Sequence, residues 1–238
     1  RAFKLKRLTA LALVVNSPGG SPVQSALIAS RIRVLAEEKD VPVLAFAEDV
    51  AASGGYWLAC AADEIFVNAA SIIGSIGVVS SGFGFQELIE RHGIERRVHT
   101  AGESKAILDP FLAEKPEDVA RLKELQGDIH DQFKAYVGAR RGSRIDISSE
   151  ELFSGAFWTG ARAVELGLAD GLGDVRSILR EKYGEDVRMV SIDAKKSMVR
   201  SLLGRTSIAS STGEALSALP EQAITALEER AIWARFGL

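Results

Sequence analysis

A chain of 238 residues with 47% hydrophobic and 26% charged side chains has the balance of an ordinary globular protein with one sizeable core. Its formal net charge of -3 comes from 29 basic and 32 acidic side chains, and no basic block stands out, so nothing in the charge pattern indicates nucleic-acid binding. The lone Cys60 cannot form an internal disulfide, and its apolar neighbours favour a small buried side chain.

The first part of the chain alternates continuous apolar runs with segments whose apolar residues recur at helical spacing. Continuous runs of this kind are typical of strands buried on both faces. In chain order we predict a strand at 8–15, a helix at 25–39, a strand at 41–47, a helix at 56–62, a strand at 64–67, a β-like stretch at 72–81, a helix at 86–92 and a strand at 95–99. This alternation predicts an α/β fold, a parallel sheet layered with helices.

Beyond residue 105 the pattern becomes mainly helical. We predict helices at 116–138, 148–153, 159–166 and 174–183, then a late strand at 188–192. From residue 195 a linker rich in Ser, Thr and Gly leads into an amphipathic helix at 221–236. We therefore divide the chain into a main domain at 1–194 and a C-terminal helical appendage at 195–238, which we expect to serve in oligomerisation or in packing on the sheet.

Two Gly-rich loops, 16–21 and 51–55, directly follow two of the predicted buried strands. Because right-handed crossovers bring the carboxyl ends of parallel strands to one edge of a sheet, we expect these loops to meet there. Sites of α/β proteins form at this edge, so the sequence predicts a functional site between the two loops.

Ser53 in the second loop has the surroundings that an acyl-transfer nucleophile needs. Small neighbours allow a substrate backbone to approach closely, and the start of a helix supplies free amide donors for a developing oxyanion. The alternative is a serine that caps the helix, which is a common structural role.

A serine hydroxyl also needs a base. The chain has three histidines, of which His92 and His99 end predicted elements and His130 is expected to face solvent on a long helix; none lies in a Gly-rich loop. Lysine can replace histidine when desolvation favours its neutral form. Lys105, between a Gly-containing turn and an apolar stretch, suits that role better than most lysines of the chain, although a solvated surface charge is the ordinary alternative.

Four motifs occur in a fixed order along the chain. They are NSPGG at 16–20, AASGGYWLACAADEIF at 51–66, GSIGV at 74–78 and GESKAILDPF at 102–111. In this order they resemble the signal peptide peptidase A family of bacterial serine proteases, over roughly residues 8–191. The resemblance implies a ClpP/crotonase-like fold and a Ser-Lys peptidase.

Transferred residue by residue, the resemblance implies that Ser53 is the nucleophile, Lys105 the general base and Ser75 the residue that orients the lysine amine. It implies that the backbone amides of Gly20 and Gly54 form the oxyanion hole. It further implies peptide substrates, including signal-peptide remnants or unfolded chains, and a homo-oligomer shaped as a ring or bowl. Which chain supplies Lys105 to Ser53 stays open at this point.

Two features depart from the family's pattern. Many members have an acidic residue directly after the lysine, where this chain has Ala106, and Asp109 follows three residues later. Members also carry more sequence before the NSPGG strand, often with a membrane anchor. We therefore expect an N-terminal portion to precede Arg1, and a bacterial protein that is membrane-associated or lies on the cytoplasmic or periplasmic face, although this chain has no membrane-spanning stretch.

Two other functions remain alternatives to a Ser-Lys endopeptidase. A crotonase-type acyl-CoA enzyme would share the paired amides, but it usually needs an acidic base on the helix after the second loop, and this helix has no carboxylate before Asp63. A catalytically inactive scaffold of the same fold is the second alternative.

No metal or organic cofactor is implied, because no cluster has ligand spacing. For specificity, the apolar residues 72, 73, 78 and 79 predict shallow pockets for small or apolar side chains.

Overall fold

A computed structural model describes residues 1–102, 104–192 and 230–237. These residues form a six-stranded, mostly parallel sheet layered with helices, which confirms the predicted fold class. The strands are β1 (Leu11–Ser17), β2 (Val43–Ala52), β3 (Glu64–Val67), β4 (Ile72–Gly74), β5 (Phe157–Thr159) and β6 (Gly171–Leu172). The helices are α1 (Pro22–Lys39), α2 (Gly54–Ala59), α3 (Gln86–Arg91), α4 (Pro116–Arg141), α5 (Gly160–Glu165) and α6 (Val175–Tyr183).

Strand β2 is the centre of the sheet and pairs with three neighbours. It lies parallel to β1 on one side; on the other side its first half pairs with β3 and its second half with β4. Beyond these, β6 extends the sheet parallel to β3, and β5 runs antiparallel to β4. Pairing with two successive strands requires a long β2, which explains why this strand continues to Ala52 rather than ending at the predicted residue 47.

The pairing of β1 with β2 contains an irregularity close to the functional loops. Val15 lies opposite Ala47, whereas Ser17 lies opposite Ala51. The Asn16 side chain fills the gap, since its Oδ1 accepts the Val50 amide and its Nδ2 donates to the Asp49 carboxylate. This register shift brings the ends of both strands level, so that the loops following them start side by side.

Side chains of β2 alternate between two layers of the core. Its odd-numbered residues from Val43 to Ala47 face α1, α2 and α4, where Ala29, Tyr56 and Phe133 are buried. Its even-numbered residues face α6, whose Ile178 and Leu179 pack on Leu44 and Phe46. Burial of both faces accounts for the uninterrupted apolar runs in the sequence.

Three predicted elements are absent from the described structure. Residues 95–99 and 188–192 form no strand, because their side chains are largely exposed and no neighbouring strand pairs with them. Residues 148–153 form turns instead of a helix: the Asp146 carboxylate accepts the Ser148 amide and hydroxyl, and the Phe153 amide bonds three residues back to Glu150. A polar side chain that bonds its own backbone competes with the helix in this way.

The C-terminal appendage lies mostly outside the described residues. Of the helix predicted at 221–236, residues 230–236 are described, and 230–234 are helical. Phe236 is buried against Val50 and Ala52, and its ring contacts Phe157 edge-on at 5.2 Å between centroids. This final segment therefore packs on the chain's own sheet. Among the helices described, none combines the length and the apolar character that crossing a membrane requires.

A buried ion pair joins α4 to the loop before β6. Arg141 has a side chain only 2% exposed, and it contacts Asp170 at 2.7 Å and donates to the Gly167 carbonyl. Asp170 in turn accepts the Ile65 amide of β3 and also pairs with the half-exposed Arg144. Through these contacts α4 is fixed to the sheet.

We expect Arg141→Met to lower the free energy of unfolding by about 3 kcal/mol, because it leaves the Asp170 carboxylate with one remaining cation. Urea denaturation followed by circular dichroism measures the change. The control is Arg162→Met, which removes an exposed pair with Glu165 at 2.6 Å and should cost less than about 1 kcal/mol. Equal losses in the two variants would contradict a special role for the buried pair.

Candidate active site

The two Gly-rich loops meet at the carboxyl edge of the sheet, as the sequence predicts. A Cβ built on Gly54 would lie 3.2 Å from the Gly20 nitrogen, and one built on Gly19 would lie 2.9 Å from the Ser53 Cβ. Such distances leave no room for a side chain at Gly19 or Gly54. The PGG loop thus passes directly over the turn that carries Ser53.

Ser53 occupies a strained turn between β2 and α2. Its φ of 51° and ψ of -122° are rare for a residue with a side chain and cost about 1–3 kcal/mol. The Ser53 amide donates to the Gly74 carbonyl at 2.8 Å, which holds the turn in this conformation. A sharp strand-to-helix turn of this kind exposes a nucleophilic hydroxyl.

The Ser53 side chain does not cap α2. No amide of that helix donates to its hydroxyl, whereas the Ser21 hydroxyl accepts the Gln24 amide at the start of α1. The capping alternative is therefore wrong for Ser53, and its hydroxyl is available for another role.

The Gly20 and Gly54 amides belong to backbone segments that lie against each other beside Ser53. Gly20 has a φ of +150°, and the position of a Cβ on it has nothing within 4 Å. Two neighbouring amides next to a serine hydroxyl are a donor arrangement that can stabilise an oxyanion. The donor role of these amides stays a prediction.

Ser75 follows β4 directly and is linked to Ser53 through the backbone. It is 8% exposed and has a φ of 53°, and its amide donates to the Ala156 carbonyl at 2.6 Å. The preceding Gly74 is the acceptor of the Ser53 amide, and a Cβ on it would lie 2.8 Å from the Trp158 ring. The structure therefore brings Ser75 into the same backbone network as Ser53.

Lys105 does not belong to the backbone network that connects Ser53 with Ser75. It lies in a turn within an exposed arm, which we define as residues 80–102 and 104–113, and its backbone amide donates to the Gly102 carbonyl. Its side chain is exposed and makes no hydrogen bond or ion pair with the residues that the structure describes. Within this single chain, no described bond joins Lys105 to Ser53 or Ser75.

The turn that carries Lys105 is anchored on its C-terminal side. The Asp109 carboxylate accepts the Phe111 amide and pairs with Arg96 at 3.0 Å, and these two contacts hold the pKa of Asp109 below its usual value. The Phe111 ring packs on Phe85 at 5.6 Å between centroids, and the Arg96 guanidinium lies over it. Asp109 therefore stabilises the turn that carries Lys105, although it is not directly after the lysine as the acidic residue of many family members is.

Two arginines secure the far end of α2. Arg140 of α4 donates to the carbonyls of Cys60 and Ala62, each at 2.8 Å, and Arg33 of α1 donates to Ala61 at 3.3 Å. The last carbonyls of a helix need such partners. The short helix that starts at Ser53 is thus fixed at its opposite end by the two helices packed against it.

Other candidates for the chemistry are less suitable. Burial raises the pKa of the Cys60 thiol to about 12, so this residue cannot supply a thiolate. His92 and His99 are exposed on the arm. His130 does not face solvent as expected: its Nε2 lies 3.1 Å from the Ile76 carbonyl oxygen. In the described part of the chain, no group of three or more His, Cys, Asp or Glu residues could hold a metal ion.

The structure also revises some sequence-based expectations about the site. Ile73 is fully buried in the core, so it cannot line a specificity pocket. Ile72 is half-buried and packs near Phe236. Gly19, which the sequence did not single out from its neighbour, lies so close to Ser53 that a Cβ on it would be 3.2 Å from the Ser53 hydroxyl oxygen. Its φ of +126° and its place in the PGG motif are the signals that could have identified it.

Comparison with known proteins agrees with the motif order. The family model described as Peptidase family S49 matches residues 36–186, well over half of the chain. The chain belongs to peptidase family S49. A protein of Enterococcus faecium named as the signal peptide peptidase SppA is 32% identical over 190 residues, which are 78% of this chain and 54% of that protein. These matches confirm the resemblance to signal peptide peptidase A.

Two further relatives cover more of the chain. A protein of Synechocystis sp. named as a protease is 34% identical over 205 residues, 84% of this S49 chain and 73% of its own length. A protein of Brucella abortus named as the Na(+)/H(+) antiporter NhaA is 49% identical over 241 residues and matches 100% of this chain. This chain spans only 33% of that longer protein, so the antiporter name describes a protein of which two thirds lie outside the match.

We expect Gly19→Ala to lower the rate of peptide hydrolysis at least about 100-fold, because the new methyl group would displace Ser53 and the Gly54 amide. Turnover of a fluorogenic peptide measures the effect, and thermal unfolding checks that the fold is kept. Gly127→Ala is the control, since a Cβ there has nothing within 4 Å and a helical site favours alanine. Near wild-type turnover in Gly19→Ala would contradict the close packing at Ser53.

Proposed function

We propose that this S49 chain is a serine endopeptidase in which Ser53 is the nucleophile and Lys105 the general base. The observation that carries the proposal is the Ser53 turn: a serine in a strained conformation, with a hydroxyl that caps no helix, next to the Gly20 and Gly54 amides. Membership of a peptidase family and the names of the relatives support peptide-bond hydrolysis as the reaction.

In the acylation step the Ser53 oxygen attacks the carbonyl carbon of the scissile peptide while the neutral Lys105 amine takes the hydroxyl proton. The negative charge on the carbonyl oxygen is stabilised by the Gly20 and Gly54 amides, each contributing about 3 kcal/mol in sites of this kind. The tetrahedral intermediate then breaks its C–N bond, and the Lys105 ammonium donates its proton to the leaving amine.

In the deacylation step a water molecule attacks the ester carbon and Lys105 accepts a proton from it. The second tetrahedral intermediate releases the carboxylic acid, and the proton returns to the Ser53 oxygen. We assign to Ser75 the orientation of the Lys105 amine. Its support is the position of Ser75 one residue beyond the carbonyl that binds the Ser53 amide.

A lysine acts as a base only when its amine is withdrawn from water. Since Lys105 is exposed in the single chain, we propose that a homo-oligomer, a ring or bowl, completes its surroundings. The arm supports this proposal, because it carries large apolar side chains that are mostly exposed, such as Phe83 at 79% and Ile94 at 58%. Several large apolar side chains exposed on one segment are typical of a protein interface.

For the substrate we propose extended peptides, such as signal-peptide remnants or unfolded chains, with small or apolar side chains near the cleaved bond. The small residues around Ser53 support this choice, since they let an extended backbone approach.

We also propose membrane association through a segment outside this chain. The basis is the bacterial relatives, including one named as a signal peptide peptidase.

An acyl-CoA enzyme is less well supported by the site. The helix α2 has no carboxylate, and Asp63 beyond it accepts the Val43 amide and pairs with Arg33 at 2.7 Å. The Asp63 carboxylate therefore already has structural partners and lies beyond the end of α2 that is opposite to Ser53, so it does not replace an acidic base on α2. An inactive scaffold remains the alternative that the following experiment tests.

We expect Ser53→Ala and Lys105→Ala each to abolish turnover of a peptide substrate while the unfolding temperature changes by no more than a few degrees. Intact-mass analysis after treatment with a fluorophosphonate should find one adduct, on Ser53, in the wild-type protein. Lys123→Ala, an exposed lysine of α4, should keep wild-type turnover. Full activity of Lys105→Ala would rule out the dyad, and an absent Ser53 adduct would favour the scaffold.

We expect the double variant Phe83→Ser, Leu88→Ser to lower the native mass from an oligomer to a monomer and to reduce turnover at least about tenfold, because the arm loses apolar contact area. Light scattering after size-exclusion chromatography measures the mass. Met189→Ser, an exposed apolar residue away from the arm, should leave both unchanged. A wild-type protein that is monomeric and fully active would overturn the oligomer proposal.

A further inference from the structure

His130 links the long helix α4 to the segment that carries Ser75. It lies one turn before Phe133 and two turns before Val137, which are both buried, so the three share one face of the helix. Its Nε2 is 3.1 Å from the carbonyl oxygen of Ile76, a residue with a fully buried side chain. Because a carbonyl oxygen only accepts, Nε2 must carry the proton and donate it.

In segment 74–77, Gly74 is held by its pairing with Ala52 and Phe157, whereas residues 75–77 lie beyond that pairing. Ser75 has a positive φ of 53°, which is unfavourable for a residue with a side chain, and its amide donates to Ala156. The Gly77 amide donates to the Ser75 carbonyl at 2.9 Å. The Ile76 carbonyl belongs to the same peptide unit as the Gly77 amide, so the contact from His130 holds that unit at its other end and limits its rotation.

The same segment also determines the position of Ser53. The Gly74 carbonyl accepts the Ser53 amide at 2.8 Å, so a shift of segment 74–77 would change the turn of the nucleophile directly. His130 is thus connected to both serines through three consecutive residues of backbone.

We propose that His130 is a positioning residue for the reaction: its hydrogen bond to Ile76 holds Ser75 and, through Gly74, the Ser53 turn in the reactive arrangement. This inference rests on the proposed peptidase function. The role requires an N–H donor rather than a charge, because both the neutral Nε2–H form and the imidazolium donate to a carbonyl. The carboxylate of the neighbouring Asp131 forms an ion pair with Lys134, with 2.6 Å between Oδ1 and Nζ, so Asp131 has a partner other than His130.

The test compares two substitutions of His130 that differ in one property. Glutamine keeps an N–H donor at a similar reach, and methionine has a similar size without a donor. We expect His130→Met to lower kcat and the rate of fluorophosphonate labelling at Ser53 by about tenfold to 100-fold, with KM changed less than about threefold. We expect His130→Gln to stay within about threefold of the wild-type rates.

Val137→Ala separates positioning from stability. Val137 is fully buried on the same face of α4, so this variant lowers the unfolding temperature without removing the bond to Ile76. We expect it to keep kcat within about twofold of wild type at a temperature where all variants are folded.

The outcomes are distinct. A His130→Met protein that labels at the wild-type rate, a His130→Gln protein as slow as His130→Met, or an equal loss of kcat in Val137→Ala would each overturn the positioning role while leaving the peptidase function intact. A wild-type protein without any Ser53 adduct would instead overturn the proposed function, and this inference with it.

Discussion

The hydrogen bond from the Ser53 amide to the Gly74 carbonyl is the contact on which the arrangement of the site depends. It continues the pairing of β2 with β4 by one residue beyond Ala52, which lies opposite Gly74. The sheet thereby holds Ser53 at a positive φ that an isolated chain would avoid. The free energy that maintains this conformation comes from the buried core on both faces of β2, not from the loop itself.

The approach of the PGG loop depends on the same sheet. The register shift at Asn16 sets Ser17 opposite Ala51, and a Cβ on Gly55 would lie 2.5 Å from the Ser17 carbonyl oxygen. Only glycine fits at such distances. Ser53 and the nearby amides are therefore placed by strand pairing and backbone packing, and the side chains of α4 and α1 then fix the end of α2.

The buried strands and the two Gly-rich loops could be predicted from the sequence, because each has a local pattern of residues. Buried parallel strands appear as apolar runs, and the loops after them must share one edge, so the meeting of the loops around Ser53 could be predicted. The prediction of strands at 95–99 and 188–192 was wrong. Their residue pattern suits a strand, but a strand also needs a partner strand with an unpaired edge, and no local pattern shows whether one is present. The contact of His130 with Ile76 joins residues 54 apart and has no local signature at all. The roles assigned to Ser53, Lys105, Ser75, Gly20 and Gly54 come from the family's motifs and stay predictions.

In the exposed arm, the Phe85 ring contacts both Phe83 and Phe111, but Phe83 and Phe85 remain exposed. Ser53, by contrast, is attached to strands with fully buried side chains such as Val50. Segments with few buried contacts open at a lower free energy than the core does. Lys105 lies on the arm and Ser53 on the sheet, so the proposed base and the proposed nucleophile belong to segments of unequal local stability. If Lys105 is the base, gentle heating or a low concentration of denaturant would release it while the sheet stays folded, and catalysis would be lost reversibly before the protein unfolds.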